Sequence, residues 1–208
     1  MKRLWLLISI TMAAPLAAAQ NITVLVFGDS LSAAYGIAQE AGWVALTEAE
    51  LQARYDAVSV VNDSISGETS GGGLARLPAT LARVKPQIVV LELGANDGLR
   101  GQSLRLLREN LTQMVELSQA QGAEVLLLGM QIPSNYGPAY TRRFSAVFDD
   151  LADSHSLAYV PFFLQPVATD PAMFQADGLH PTAAAQPQLR DAVLPALTPL
   201  IEALQSNH

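Results

Sequence analysis

The stretch Val24-Leu25-Val26-Phe27-Gly28-Asp29-Ser30-Leu31-Ser32 decides the fold. Its apolar run reads as a buried strand, and the break at Gly28 delivers an acid and a hydroxyl together. A strand that ends in glycine and opens a helix leaves its last side chains at the carboxyl edge of a sheet, where open α/β folds place their ligands. Asp29 and Ser30 would also serve as ordinary caps of that helix. The stretch therefore needs support from the rest of the chain.

Residues 42–54 place Trp43, Leu46, Ala49 and Ala53 at helical spacing, and residues 57–61 form a β-branched run ending at Asn62-Asp63. Residues 64–73, rich in Ser and Gly, read as a loop into a helix over 74–84 that Pro86 stops. A third strand covers 87–93, apolar on both faces except for Glu92, and ends in the polar turn Gly94-Ala95-Asn96-Asp97-Gly98. A helix over 104–120 closed by Gly122, a strand over 124–130, a loop over 131–138 and a helix over 139–154 follow. A short strand over 158–161 leads to an irregular stretch reaching Asp177-Gly178-Leu179-His180-Pro181, then to a helix over 182–204 that Pro187 and Pro195 disturb. Strands alternating with helices, several of them apolar throughout, predict an α/β fold: a three-layer α/β/α sandwich around about five parallel strands.

The first residues have another use. Lys2 and Arg3, an apolar stretch over 4–14 and Ala17-Ala18-Ala19 predict a cleavable export signal over 1–19, with one domain over 20–208 and a periplasmic or secreted destination in a bacterium. The uninterrupted apolar run is shorter than the roughly 20 residues that span a bilayer, so no integral membrane segment is expected after cleavage. No Cys follows the cleavage site, which argues against a lipoprotein. The remaining 189 residues hold 10 basic and 19 acidic side chains, a net of −9 that repels nucleic acid and anionic membranes. Arg105/Arg108 and Arg142/Arg143 read as solvated helix faces. The absence of Cys removes thiol nucleophiles and thiolate-rich structural zinc sites. A monomer is the expected state.

An activated serine needs a base to take its proton and an acid to fix the base's tautomer. Three histidines are available: His155 at the end of a predicted helix, the terminal His208, and His180 in a polar loop three residues after Asp177. Gly178 would allow a tight turn bringing Asp177 to His180. Lys85, beside Pro86, offers no alternative. An acyl-transfer oxyanion also needs aimed donors. Gly67 and Asn96 follow the second and third strands at the same edge as Ser30, although singly they read as a flexible loop and a turn.

Gly28-Asp29-Ser30-Leu31, a glycine after the second strand, Gly94-x-Asn96-Asp97 and Asp177-x-x-His180 together resemble the SGNH (GDSL) hydrolase family in order and spacing. Ser64-Ile65-Ser66-Gly67-Glu68-Thr69, Leu74-Ala75-Arg76-Leu77-Pro78, the run from Glu92 to Gly101 and Pro133-x-Asn135-Tyr136-Gly137 are similar to its periplasmic branch of acyl-CoA thioesterases, lysophospholipases and arylesterases. The resemblance spans essentially the whole chain after the signal. It implies a flavodoxin-like sheet, Ser30 as nucleophile, His180 as base and Asp177 as its orienting acid. It also implies an oxyanion hole from the Ser30 and Gly67 N–H groups and the Asn96 side chain, with Asn135 and Tyr136 at the acyl site, where Ile132 and Pro133 of the same loop offer apolar surface. The implied substrates are small acyl esters, thioesters or lysolipids, with no cofactor.

Rival readings fare less well. An α/β-hydrolase elbow requires Gly-x-Ser-x-Gly, and Ser32 stands at the second glycine. Gly71-Gly72-Gly73 lacks the Lys-Ser/Thr and the spacing of a phosphate loop. An acetyl-sugar esterase of the same fold, or an exported binding protein with a degenerate site, are the alternatives that turnover would separate.

Overall fold

The apolar run around Val24 forms β1 (Ile22–Gly28), an interior strand of a five-stranded parallel sheet in a computed structural model that describes residues 21–206. The expected export signal over 1–19 lies outside the described residues. With β2 (Val58–Asn62), β3 (Ile88–Glu92), β4 (Glu124–Leu128) and β5 (Ala158–Val160), the strand order is β2-β1-β3-β4-β5. The chain steps from β1 to one side and returns to β3 on the other, so the topological switch lies between β1 and β3. Gly28 pairs with Glu92 and Val26 with Asn62, and the loops carrying Ser30, Gly67 and Asn96 leave the sheet side by side.

Helices cover both faces. On one, α1 (Trp43–Arg54) packs against α6 (Gln186–Ser206); on the other, α2 (Ser70–Val84), α4 (Leu104–Ala120) and α5 (Pro138–His155) pack in series. A single short helix, α3 (Ala95–Leu99), follows β3. The core between the layers is apolar: Leu25, Phe27, Leu91 and Leu127 are fully buried, and Trp43 meets Phe163 edge-on with ring centroids 5.2 Å apart.

Four local expectations change. The helix expected from residue 74 begins at Ser70, because the Asp97 carboxylate accepts the Ser70 N–H at 2.8 Å and the Ser70 hydroxyl at 2.6 Å. A carboxylate at a helix N-terminus is favoured by the helix dipole. Gly71-Gly72-Gly73 is thus helical despite a cost of about 1 kcal/mol per glycine relative to alanine. Gly73 has a packing reason: a Cβ there would lie 2.5 Å from Leu93 and 3.3 Å from Phe27. After Gly28 no helix opens directly. Asp29 Oδ1 instead accepts the Leu31 N–H at 3.1 Å, a side-chain turn, and residues 30–36 remain turns. Asn96-Asp97-Gly98 is helical rather than a turn. The last helix starts at Gln186 after a 3-10 turn over Ala183–Ala185, so Pro187 falls in its first turn, where its missing N–H costs nothing.

Candidate active site

The loop after β1 and the loop before α6 meet over the carboxyl edge of the sheet. Ser30 Oγ lies 2.8 Å from His180 Nε2, and Asp177 Oδ2 lies 2.6 Å from His180 Nδ1. Gly178 sits between acid and base with φ +68°, a left-handed turn that suits glycine. That turn lets Asp177 Oδ1 accept the Leu179 and His180 N–H groups at 2.9 and 3.0 Å. The His180 N–H above all, then the imidazole and the Leu179 N–H, draws the Asp177 carboxyl down to about 2. It is therefore an ionised acceptor on His180 Nδ1. The Tyr35 ring lies against the imidazole, centroids 4.4 Å apart, and Gln175 Nε2 donates to the Tyr35 and Pro181 carbonyls at 2.8 and 3.1 Å. One amide thereby ties the serine loop to the histidine loop.

The loop after β2 is drawn to the same edge. The Ile65 N–H donates to the Gly28 carbonyl at 3.0 Å, and Asn62 Nδ2 donates to the Ser32 carbonyl at 2.8 Å. Arg76 holds Asp63 and Glu68 at 3.1 and 2.7 Å while its guanidinium lies 3.8 Å from the centroid of the Phe27 ring. Asn96 Nδ2 donates to Asp29 Oδ2 at 3.0 Å, and Arg100 donates to the Gly67 carbonyl at 3.0 Å. Among the described residues nothing accepts the Ser30 or Gly67 N–H. Those two donors and the second Nδ2 hydrogen of Asn96 can serve a developing oxyanion.

Behind the serine lie two acids whose role sequence reasoning missed. Asp29 and Glu92 are almost wholly buried. Burial, partly offset by the Leu31 N–H and the Asn96 amide, pushes the Asp29 carboxyl up to about 6. Burial and then the Asp29 charge raise Glu92 well above the carboxylate range. The signal was present in β3, where Glu92 is the lone acid in an apolar strand.

In front of Ser30 opens a cavity of about 610 Å³ whose walls include Leu31, Leu99, Ile132, Pro133, Phe162 and Phe174. Of the loop residues expected at the acyl site, Ile132 and Pro133 line it. Asn135 and Tyr136 do not, and the Tyr136 hydroxyl instead donates to the Leu99 carbonyl at 2.8 Å. Much of the opposite wall comes from residues 162–174, a stretch without a periodic signal. The rival base His155 ends α5, which runs antiparallel to the strands and so finishes at the far edge of the sheet. Among the described residues no group of three His, Asp or Glu side chains could hold a metal ion, and no helix is long and apolar enough to cross a membrane.

The family model described as GDSL-like lipase/acylhydrolase matches residues 26–186. Esterase TesA of Pseudomonas aeruginosa is 54% identical over 185 residues, 89% of this chain and 91% of that one. Thioesterase 1/protease 1/lysophospholipase L1 of Escherichia coli K12 is 43% identical over 184 residues, 88% and 87% of the two chains. The psychrotrophic esterase EstA from Pseudoalteromonas sp., in a structure inhibited by monoethylphosphonate, is similar with a TM-score of 0.83 at 41% identity, covering 88% of this chain and 100% of that one.

Proposed function

The chain belongs to the GDSL-like lipase/acylhydrolase family and is an enzyme that hydrolyses carboxylic esters; from that premise we propose that it works through an acyl-enzyme on Ser30. His180 Nε2 takes the Ser30 proton as Oγ attacks the acyl carbon, and Asp177 keeps the other proton on Nδ1 and stabilises the imidazolium. The oxyanion of the tetrahedral intermediate falls to the Ser30 and Gly67 N–H groups and to Asn96 Nδ2. His180 then gives its proton to the leaving alcohol or thiol. Water, deprotonated by the same imidazole, releases the acid. The observation that carries this reading is the pair of short contacts on one imidazole, 2.8 Å to Ser30 and 2.6 Å to Asp177.

The largely apolar walls of the cavity favour an alkyl or aryl acyl group over acetyl, and so argue against the acetyl-sugar reading. Aryl esters, acyl-CoA thioesters and lysophospholipids are the substrate classes we assign, the last two in line with the thioesterase and lysophospholipase name of the Escherichia coli relative. Every group invoked comes from one chain, consistent with a monomer. The segment over 1–19 fits export to the periplasm or beyond.

The test is a panel of p-nitrophenyl esters of rising chain length, an acyl-CoA and a lysophospholipid, given to the parent, Ser30→Ala and Asn96→Ala. Ser30→Ala should abolish turnover and covalent labelling by a fluorophosphonate. Asn96→Ala should lower kcat on the order of a hundredfold, the scale of one lost oxyanion donor. Turnover persisting in Ser30→Ala would sink the assignment, as would a parent that turns over no ester.

A further inference from the structure

Glu92 takes no part in the chemistry above, yet it reaches under the nucleophile from the neighbouring strand. Its Oε2 accepts the Asp29 N–H at 3.2 Å and the Ser32 hydroxyl at 2.7 Å, contacts that flank Ser30 by one residue before and two after. The Ser32 carbonyl in turn accepts Asn62 Nδ2 at 2.8 Å, which carries the tie on to β2. The approach leaves no room for a side chain at the strand end: a Cβ on Gly28 would stand 2.6 Å from Glu92 Oε2 and 2.8 Å from Ser32 Oγ. Keeping this acid has a cost, because it is wholly buried and its Oε1 has no partner among the described residues. A leucine or valine would fill that site in β3 without stranding a polar atom. The neighbours of Glu92 in the strand, Val89, Val90 and Leu91, are indeed apolar.

We propose that Glu92 is a positioning residue for the nucleophile, its carboxyl oxygen fixing the Gly28–Ser32 turn so that Ser30 Oγ meets His180 Nε2. The proposal rests on Ser30 being the nucleophile. The role needs an acceptor and not a negative charge, which agrees with burial and the Asp29 carboxylate both favouring the neutral acid. An isosteric amide supplies an equivalent acceptor, whereas an apolar side chain supplies none.

The experiment compares the parent, Glu92→Gln and Glu92→Leu in kcat and KM on a short p-nitrophenyl ester, in the second-order rate of fluorophosphonate labelling, and in thermal midpoint. A misplacement on the order of 1 Å costs up to about a hundredfold in rate. Glu92→Leu should therefore lose roughly tenfold or more in kcat and in labelling rate while KM moves less than about twofold. Glu92→Gln should recover both rates to within about threefold of the parent. If Glu92→Leu does not fold, Ser32→Ala, which removes one of the two anchors, must show the same joint fall in kcat and labelling. The proposal is overturned if a folded Glu92→Leu, or Ser32→Ala in its place, is labelled at the parental rate, or if the Gln and Leu variants are equally slow. A parent that is not labelled on Ser30 instead overturns the nucleophile assignment itself.

Discussion

Asp177 shows how one side chain is set for its task by backbone geometry. The left-handed Gly178 turns the His180 and Leu179 N–H groups onto one carboxylate oxygen and leaves the other for His180 Nδ1. With its carboxyl drawn down to about 2, chiefly by the His180 N–H, the acid stays charged well below neutral pH. Asp177→Asn keeps the size but presents an amide that can select the wrong imidazole tautomer, so kcat should fall by about 10⁴-fold, as for the equivalent change in another triad. Its side chain is 38% exposed, so folding should survive. Steady-state kinetics and circular dichroism on the same sample check both halves, and a kcat within tenfold of the parent would remove Asp177 from its orienting role. Ser30, Asp177 and His180 were legible because few side chains of the right chemistry exist, with three histidines and no cysteine in the chain. The partnership of Glu92 with Asp29 and Ser32 was not. It depends on the register that sets Gly28 against Glu92, and a strand apolar on both faces leaves register unmarked in sequence.

At the scale of elements, what the sequence displayed was periodicity, and what it concealed was contact between distant segments. The strands and the amphipathic helices α4 and α5 follow their apolar spacing closely. The start of α2 does not, because Asp97, 27 residues away, supplies the partner that turns Ser70 and the three glycines helical. The wall over residues 162–174 was hidden for a similar reason. It has no period, and Phe162, Leu164, Ala168, Pro171 and Phe174 come together only once the segment folds over the cavity. Ala168 is exposed at that wall, so Ala168→Phe should stay within about 0.5 kcal/mol of parental stability, as surface changes do. Its ring would occupy cavity space beside the acyl chain. The ratio of long-chain to short-chain p-nitrophenyl ester turnover should fall severalfold with the short-chain rate retained, and an unchanged ratio would place the acyl chain elsewhere. Tyr136, turned away to Leu99, should leave that ratio alone when changed to Phe.

For the whole molecule, the buried acids tie stability to pH. The Asp29 carboxyl is raised by burial from 3.8 to about 6, so between those values the folded chain holds a proton that the unfolded chain has released. Stability from this group therefore falls as pH rises through that window. Glu92, raised well above its ordinary value of 4.5 by burial and then by the Asp29 charge, acts with the same sign. Asp177 has the opposite sign, since its contribution is present above its unfolded value and is lost only as pH falls toward about 2. Glu92→Gln removes one of these contributions, because its amide cannot ionise. As pH rises above the ordinary carboxyl value of 4.5, the parent's melting temperature should fall more steeply than that of Glu92→Gln. Melting temperatures that run parallel over that rise would show that the carboxyl under the nucleophile is not what titrates.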